Sequence, residues 1–258
     1  MTQRGALVLG GSSGIGLAAA RALGASGHAV HLVARDEAKL AAARDGLLAA
    51  GAQATATRAD IGVPAELARA VAEATSALGA VDVLVANGGG PPPGRALTLD
   101  DHAFHAALDS VALPALHAIR AVTPGMVARR FGRVVIVAST SVRAPIDDLD
   151  LSNFLRAGLA AVVRTLAREL AADGVTVNMV LPGSILTDRS RGRIEARAAR
   201  EGVTFEAALA QSSGRIPAKR LGAPEEVGSA IAFLASASAS YITGAALPVD
   251  GGALTGMP

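Results

Sequence analysis

The sequence contains no cysteine, no tryptophan and a single tyrosine, Tyr241. Without cysteine the chain can form neither disulfides nor thiolate metal sites, and this composition fits the reducing cytoplasm, where we expect the protein. The five histidines show no ligand spacing, so no metal is expected. Only Lys39 and Lys219 are lysine, so nearly all of the 24 basic residues are arginine.

Strong charge and long apolar runs are also missing. The formal net charge is +2, and the arginines are scattered without interleaved aromatic residues, which argues against a nucleic-acid partner. Arginine, aspartate and glycine interrupt each apolar run before it reaches the length of a membrane span, so no membrane partner is expected. Residues 1–5 lead directly into an apolar run, which predicts no signal peptide.

Apolar runs alternate with alanine-rich stretches of helical character along the chain. The predicted strands are Ala6–Leu9, Ala29–Ala34, Gln53–Thr57, Val81–Ala86, Arg133–Ser139, Val175–Val180 and Ala246–Val249. The predicted helices lie near residues 15–26, 37–50, 64–78, 99–129, 152–172 and 224–236. Continuous apolar strands separated by helices predict an α/β Rossmann fold, with a doubly wound, seven-stranded parallel sheet and helices on both faces. No linker interrupts the series, so we expect one domain over residues 1–258, with a polar substrate lid at 187–220.

A glycine-rich turn joins the first strand to the first helix. Its G-x-x-x-G-x-G spacing allows a sharp bend and the close approach of a pyrophosphate, which the free N–H groups of the helix would bind. A tight turn without a ligand is the alternative, but the strand-turn-helix context favours a dinucleotide site. The residues expected to bind the cofactor in this turn are Gly10, Ser12, Ser13, Gly14, Ile15 and Gly16.

Polar residues follow the next strands at their carboxyl ends, where open α/β sheets bind ligands. Arg35 follows the second strand where a carboxylate is usual for NAD, and a guanidinium there suits a 2′-phosphate. We therefore expect NADP(H), with NAD(H) as the less favoured cofactor. Asp36 is interpreted as the N-cap of the next helix. Asp60-Ile61 and Asn87-Gly88-Gly89 follow the third and fourth strands.

With these motifs in place, the chain resembles the short-chain dehydrogenase/reductase family, in particular its 3-oxoacyl-carrier-protein reductase branch. The resemblance extends over nearly the whole length. Its most specific parts are the glycine turn, Ala86–Gly89, Asn178–Thr187, Arg220–Val227, Tyr241–Gly244 and Pro248–Gly252.

The resemblance implies an NAD(P)-binding Rossmann domain that reduces carbonyls or oxidises alcohols, in a homo-oligomer that is a tetramer or a dimer. It implies that Asp60 and Ile61 hold the adenine, and that Ile185 and Thr187 hold the nicotinamide amide. Pro182 and Gly183 belong to the same cofactor-binding element.

The catalytic positions depart from the family pattern of a serine, a tyrosine thirteen residues later, a lysine four further on, and an asparagine on the preceding helix. Ser139 matches the serine, whereas Ser152, Arg156 and Val111 occupy the other three positions. An aliphatic hydroxyl is a much weaker acid than a phenol, and an arginine retains the charge but is a poor proton shuttle. Asp147 or Asp148 would be a substitute acid in an apolar pocket, although a solvated loop is the commoner role for such a cluster.

Three hypotheses follow from this departure. The preferred one is an NADP(H)-dependent oxidoreductase with non-standard acid/base residues, in which Ser139, Ser152 and Arg156 are the catalytic candidates. The second is a catalytically silent NADP(H)-binding protein or redox sensor. The third is a structural subunit that assembles with an active relative.

Overall fold

The structure, a computed structural model, describes residues 3–255. Seven parallel strands in this range form one sheet, as the sequence predicts, and their order in the sheet is β3-β2-β1-β4-β5-β6-β7. The strands are β1 Gly5–Leu9, β2 Ala29–Ala34, β3 Ala54–Arg58, β4 Val83–Ala86, β5 Gly132–Val137, β6 Val175–Pro182 and β7 Ala246–Val249. The outer limits of the predicted domain, residues 1 and 258, lie outside the described residues.

Helices connect consecutive strands. Between the strands lie α1 Gly14–Ala25, α2 Glu37–Ala49, α3 Pro64–Leu78, α4 Asp101–Ala107, α5 Leu113–Ala128, α6 Asp150–Leu170, α7 Asp188–Glu201, α8 Phe205–Gly214 and α9 Pro224–Ala235. The long helix predicted near 99–129 is divided, because a π-helical turn at Leu108–Ala112 separates α4 from α5. Asp36 caps α2 as predicted, since its carboxylate accepts a hydrogen bond from the Lys39 backbone N–H over 3.0 Å.

Two apolar cores lie on opposite faces of the sheet. Successive side chains of a strand point to opposite faces, so Leu7 and Leu9 enter one core while Ala6 and Val8 enter the other. Because helices cover both faces, every residue of β1 is buried. This arrangement explains why the strands appear in the sequence as continuous apolar runs rather than as alternating patterns.

Strands β1 to β3 are added towards one edge of the sheet, and strands β4 to β7 are added towards the other edge. β1 pairs with β2 on one side and with β4 on the other, so the carboxyl ends of β1 and β4 open a crevice between the two halves. A crevice at such a switch point is the usual ligand site of a doubly wound sheet. The glycine turn follows β1 and Asn87 follows β4, which places both at this crevice.

The segment Asp101–Ala128 corrects one expectation from the sequence. It is long enough to cross a membrane and contains an 18-residue window of mean hydropathy 1.3, so length and composition alone do not exclude a span. The segment instead packs against the sheet, and 44% of that window is buried. Its core side chains are Ala115, Ala118, Ile119, Val122 and Met126.

The polar segment 187–220 is largely helical, in agreement with the bias of its sequence. α7 ends at Gly202, whose left-handed conformation stops the helix, and α8 begins after the Thr204 cap. Ile194, Ala198 and Ala208 form a small apolar cluster of their own between the two helices. The pair is thus a packed unit beside the crevice, and its role as a lid stays a prediction.

Candidate active site

The glycine turn is close-packed, and its glycines are required by this packing. Gly10 adopts φ +63°, and a Cβ there would lie 2.5 Å from the Asn87 carbonyl oxygen. A Cβ on Gly16 would lie 2.0 Å from the carbonyl oxygen of Gly10, closer than real contacts allow. The turn is tied to β2 by a bond from the Gly11 N–H to the Val33 carbonyl. The backbone is therefore fixed in a shape that only glycine permits.

The start of α1 is available to an anion. Ser13 occupies the N-cap position, but its side chain makes no capping hydrogen bond. The first N–H groups of the helix therefore receive no hydrogen-bond acceptor from the cap residue. Thr187 lies across from the turn, because its methyl carbon would be 3.3 Å from a Cβ on Gly14. A groove runs between the two, with Ser12, Lys39 and Asp188 along its walls. This geometry could hold a diphosphate at the helix N-terminus.

The turns that follow β4 and β6 are also close-packed. The Asn87 side-chain amide donates to the Gly10 carbonyl over 3.2 Å, which joins the end of β4 to the end of β1. Beyond β6, a Cβ on Gly183 would lie 2.8 Å from the Cα of Asp250, so this turn also requires glycine. Pro182, at the end of β6, is buried. The carbonyl of Ile185 accepts from the Ser190 hydroxyl over 2.7 Å, whereas the Ile185 N–H has no partner among residues 3–255.

Arg35 and Asp60 meet beyond β2 and β3. A guanidinium nitrogen of Arg35 lies 3.7 Å from a carboxylate oxygen of Asp60, and the Arg35 side chain is 77% exposed. The other Asp60 oxygen accepts from the Gly62 N–H over 2.9 Å, which fixes the loop. Arg35 is thus a solvated cation at the mouth of the crevice, positioned where a ribose phosphate could be bound.

Ser152 and Arg156 are brought together one turn apart on α6. Arg156 Nε donates to Ser152 Oγ over 3.1 Å, and an Nη donates to the Val137 carbonyl over 3.2 Å. Ser152 is 6% exposed. Burial, with a smaller effect from the charge of Arg189, lowers the pKa of Arg156 to about 10. The guanidinium therefore stays positive at neutral pH while it is held largely out of water.

Ser139 and Ser141 continue this set of polar groups. The Ser139 hydroxyl oxygen accepts from the Ser141 N–H over 3.2 Å, and the hydroxyls of Ser141 and Ser152 are 3.4 Å apart. Ser139 stands at the carboxyl end of β5, where it caps a short 3-10 turn. The three hydroxyls and the Arg156 guanidinium form what we call the serine–arginine network.

A small cavity adjoins this network. Its lining includes Gly88, Gly89, Ile61 and Arg156. Val111 lies in the π-helical turn and also lines the cavity, at 9% exposure. The resemblance places an asparagine at this position, so here the helix contributes no polar side chain to the cavity.

Two residues of this region were not identified from the sequence. Ser141 joins the network through local geometry, and its two-residue spacing from Ser139 is a weak signal. Arg189, in the first turn of α7, donates to the carbonyl of Gly90 over 3.4 Å and so crosses the mouth of the crevice. Nothing in the sequence links two residues 99 positions apart.

The aspartates after β5 lie in a solvated loop. Asp147 and Asp148 are exposed, and Asp148 contacts Arg95 at 3.4 Å. Neither occupies an apolar pocket, which removes the condition under which either would serve as a substitute acid. Within residues 3–255 no group of three or more histidine, aspartate and glutamate side chains could hold a metal ion.

Comparison with known proteins places this architecture in a family. The family described as enoyl-(acyl carrier protein) reductase matches residues 10–254. The chain belongs to the short-chain dehydrogenase/reductase family of oxidoreductases.

Three relatives illustrate the likeness. The 3-oxoacyl-[acyl-carrier-protein] reductase MabA of Mycobacterium avium is 35% identical over 96% of this chain and 89% of its own. L-sorbose reductase from Gluconobacter frateurii, solved with NADPH and L-sorbose, superposes with a TM-score of 0.95 at 29% identity, covering 100% and 98% of the two chains. A short-chain oxidoreductase from Pseudomonas aeruginosa PAO1, described as containing an atypical catalytic center, superposes with a TM-score of 0.91 at 33% identity over 98% of both chains.

Proposed function

We propose that the protein is an NADP(H)-dependent carbonyl reductase in which the serine–arginine network replaces the usual tyrosine and lysine. The observation that carries this proposal is the hydrogen-bonded pair of Ser152 and Arg156 beside the crevice at the carboxyl ends of β1 and β4. The relatives solved or named as reductases, one of them with NADPH, support the reaction class. The reverse direction, alcohol oxidation, uses the same groups.

The residues of the crevice fit the cofactor. The glycine turn and the N-terminus of α1 would bind the diphosphate, because the first N–H groups of α1 receive no hydrogen bond from the side chain of Ser13. Arg35 would bind the 2′-phosphate through its guanidinium fork. Asp60 and Ile61 would border the adenine, and Asn87, Gly88 and Gly89 would line the path between the two halves of the cofactor. Pro182, Gly183, Ile185 and Thr187 would border the nicotinamide. When bound, the reduced cofactor supplies a hydride to the carbonyl carbon.

Arg156 has two expected roles in this arrangement. Its guanidinium would hydrogen-bond the nicotinamide ribose, in place of the family lysine. It would also stabilise the negative charge that develops on the substrate oxygen as the carbonyl is reduced, since a fixed cation in a largely dry site is an effective oxyanion partner. Because its pKa stays near 10, it would act as a permanent charge rather than as the proton source at neutral pH.

The hydroxyl groups would orient the substrate. Ser139 Oγ accepts from the Ser141 backbone, so its own proton is free to be donated to the carbonyl oxygen. Ser152 Oγ is held by Arg156 and lies within 3.4 Å of Ser141 Oγ. We propose that these hydroxyls relay a proton to the product alkoxide from water at the cavity mouth. Such a relay is slower than a tyrosine acid, because an aliphatic hydroxyl is a weak acid.

The test combines binding with turnover. Calorimetric titration with NADPH and NADH should show binding, with preference for NADPH. NADPH oxidation would then be followed with ketones, quinones and 3-oxoacyl thioesters. Failure of NADPH to bind, or the absence of turnover above the enzyme-free rate with every carbonyl class, counts against the proposal.

A silent NADP(H)-binding protein is the second candidate. It is favoured by Val111, which presents an apolar side chain at the position of the family asparagine. This alternative expects NADPH binding without oxidation of the cofactor by any carbonyl. Robust turnover would exclude it.

A further inference from the structure

Two guanidinium groups approach one loop of the crevice from opposite elements. Arg156, on α6, lines the cavity beside Gly88 and Gly89. Arg189, on α7, donates to the carbonyl of Gly90, the next residue of the same loop, over 3.4 Å. A Cβ on Gly90 would lie 3.5 Å from an Arg189 nitrogen, so the guanidinium lies directly over the loop. We call these two residues the arginine pair.

The arginine pair has no acidic partner. No carboxylate oxygen in residues 3–255 lies within 4.0 Å of a nitrogen of either guanidinium, although ion pairs of this kind occur elsewhere in the chain. Burial lowers the pKa of both residues, and the charge of Arg189 contributes to the effect at Arg156. The charge of another cation, Arg193, also lowers the pKa of Arg189. This side of the crevice is therefore positive and lacks a counter-ion of its own.

Arg156 is a partly buried cation without a counter-ion, which is costly, whereas Arg189 is exposed at the mouth of the crevice. An anionic ligand bound at Arg156 would remove that cost. Under the proposed function the cofactor is not suited to this role. Its diphosphate is expected at the glycine turn, where the N–H groups of α1 and the groove beside Lys39 are available. Its nicotinamide ring becomes positive on oxidation and would add to the charge rather than neutralise it. The remaining ligand of the cavity is the substrate.

We propose that the substrate is an acidic carbonyl compound, an oxo acid whose carboxylate binds the arginine pair while its carbonyl faces Ser139. This inference rests on the proposed function and specifies its substrate class. A carboxylate is planar and accepts two parallel N–H donors, which matches a guanidinium better than it matches a lysine.

The test measures binding without turnover. Pyruvate, 2-oxohexanoate and phenylpyruvate, each beside its methyl ester, are titrated calorimetrically into the protein saturated with NADP⁺, which cannot reduce them. At least one acid should bind about tenfold or more tightly than its ester, as expected for charge-assisted hydrogen bonds. In Arg189→Gln the acid-to-ester ratio should fall towards one.

Arg191→Gln is the matched control. Arg191 lies on the same helix two residues further on, but its guanidinium stacks over the Phe205 ring, 5.1 Å from the centroid. This variant should keep the preference for the acid. Equal binding of acids and esters, binding of neither, or a preference that survives Arg189→Gln would overturn the inference.

Two further measurements separate the possible failures. NADPH affinity is measured in Arg189→Gln: if it falls while the acid-to-ester ratio stays unchanged, the anion held by Arg189 is the cofactor diphosphate and the inference is wrong. The acid and ester titrations are repeated without cofactor. An acid preference in the chain alone, together with no NADPH binding, would uphold the anion site while rejecting the proposed reductase.

Discussion

Arg156 Nε donates a hydrogen bond to Ser152 Oγ over 3.1 Å, one helical turn away on α6. The two side chains occupy the positions at which the family resemblance places a lysine and a tyrosine. The two replacements are therefore coupled. Arg156 keeps the positive charge of the lysine, and it donates a hydrogen bond to the Ser152 hydroxyl, which occupies the position of the tyrosine. A shared site of this kind predicts that the two positions respond together to mutation.

Restoring the family pair tests that coupling. We expect Ser152→Tyr with Arg156→Lys to raise NADPH-dependent ketone reduction by about 10²-fold or more, because a phenol is a far better proton donor than an aliphatic hydroxyl. Initial rates of NADPH oxidation at saturating ketone provide the measurement. Ser152→Tyr alone should gain less, since the buried guanidinium would remain bonded at position 152. No gain in the double variant, if it still binds NADPH, would show that proton supply does not limit the reaction.

Ser139 provides a second kinetic test. Its hydroxyl proton is free, and removal of one oxyanion donor typically costs about 10²-fold in kcat. We expect Ser139→Ala to lower kcat to that extent while the affinity for NADPH is unchanged. Ser229→Ala is the control, because Ser229 lies on the exposed face of α9, where its hydroxyl donates to the Glu225 carbonyl. Equal kcat values in the two variants would remove Ser139 from the proposed mechanism.

Arg35 is expected to decide between the two nicotinamide cofactors. In Arg35→Ala the affinity for NADPH should fall about tenfold or more, because a charge-assisted bond to the 2′-phosphate is lost, while the affinity for NADH should be unchanged. Calorimetric titration of both cofactors measures this. Arg44→Ala is the control, since Arg44 pairs with Asp45 on α2. An equal loss of affinity for NADPH and NADH would mean that Arg35 does not bind the 2′-phosphate.

The fold could be predicted because its signals are local. The apolar run before Gly10 and the helix after Gly16 identify a buried strand and its crossover without reference to distant residues. Asp36 could likewise be assigned, since capping depends on residues within one turn. The division of the helix at Leu108–Ala112 was not predicted, because the composition of this stretch does not distinguish a π-helical turn from an α-helix.

The cofactor crevice was predictable from the glycine spacing and the strand ends, whereas the catalytic positions were predictable only where the family resemblance supplied an alignment. Ser139, Ser152 and Arg156 were identified by spacing, and the structure places the last two in contact. Arg189 was not identified, because its contact with Gly90 depends on how α7 packs over the crevice. Ser141 was only partly predictable. It lies close in sequence to Ser139, but its hydroxyl contacts Ser152 on α6, which the sequence does not indicate.

The glycine turn offers a direct test of stability. Gly16→Ala should destabilise the fold or abolish cofactor binding, because its Cβ would lie 2.0 Å from the Gly10 carbonyl and 2.7 Å from the Asn87 amide nitrogen. Gly46→Ala is the control: Gly46 lies inside α2, and its added Cβ would meet nothing within 4 Å. The control should be more stable by about 0.5–1 kcal/mol, the helical preference for alanine. Thermal unfolding with and without NADPH measures both. A Gly16→Ala protein that unfolds and binds NADPH as the parent does would contradict the packing argument.

His31 gives the fold a predicted pH dependence. The side chain lies within β2, 2% exposed, and its ring nitrogens bond to Thr55 Oγ1 at 2.8 Å and Thr57 Oγ1 at 3.0 Å. Burial lowers its pKa from 6.5 to about 4, only partly opposed by the negative charge of Glu73. Between these values the unfolded chain binds a proton that the folded chain does not, so the free energy of unfolding falls as the pH drops from 6.5 towards 4.

Replacement of His31 should remove part of that dependence. In His31→Gln, whose amide can still bond to a threonine, the slope of unfolding free energy against pH should decrease by about one proton between pH 4 and 6.5. Urea unfolding at several pH values measures the slope. His105→Gln is the control, because His105 is exposed on α4, and its slope should match that of the parent. His28 also has a pKa lowered by burial, so a residual slope of the same sign is expected in both variants. An unchanged slope in His31→Gln would mean that the imidazole is protonated within the folded sheet, and the bonds to Thr55 and Thr57 would then have to be assigned with His31 as the donor to both.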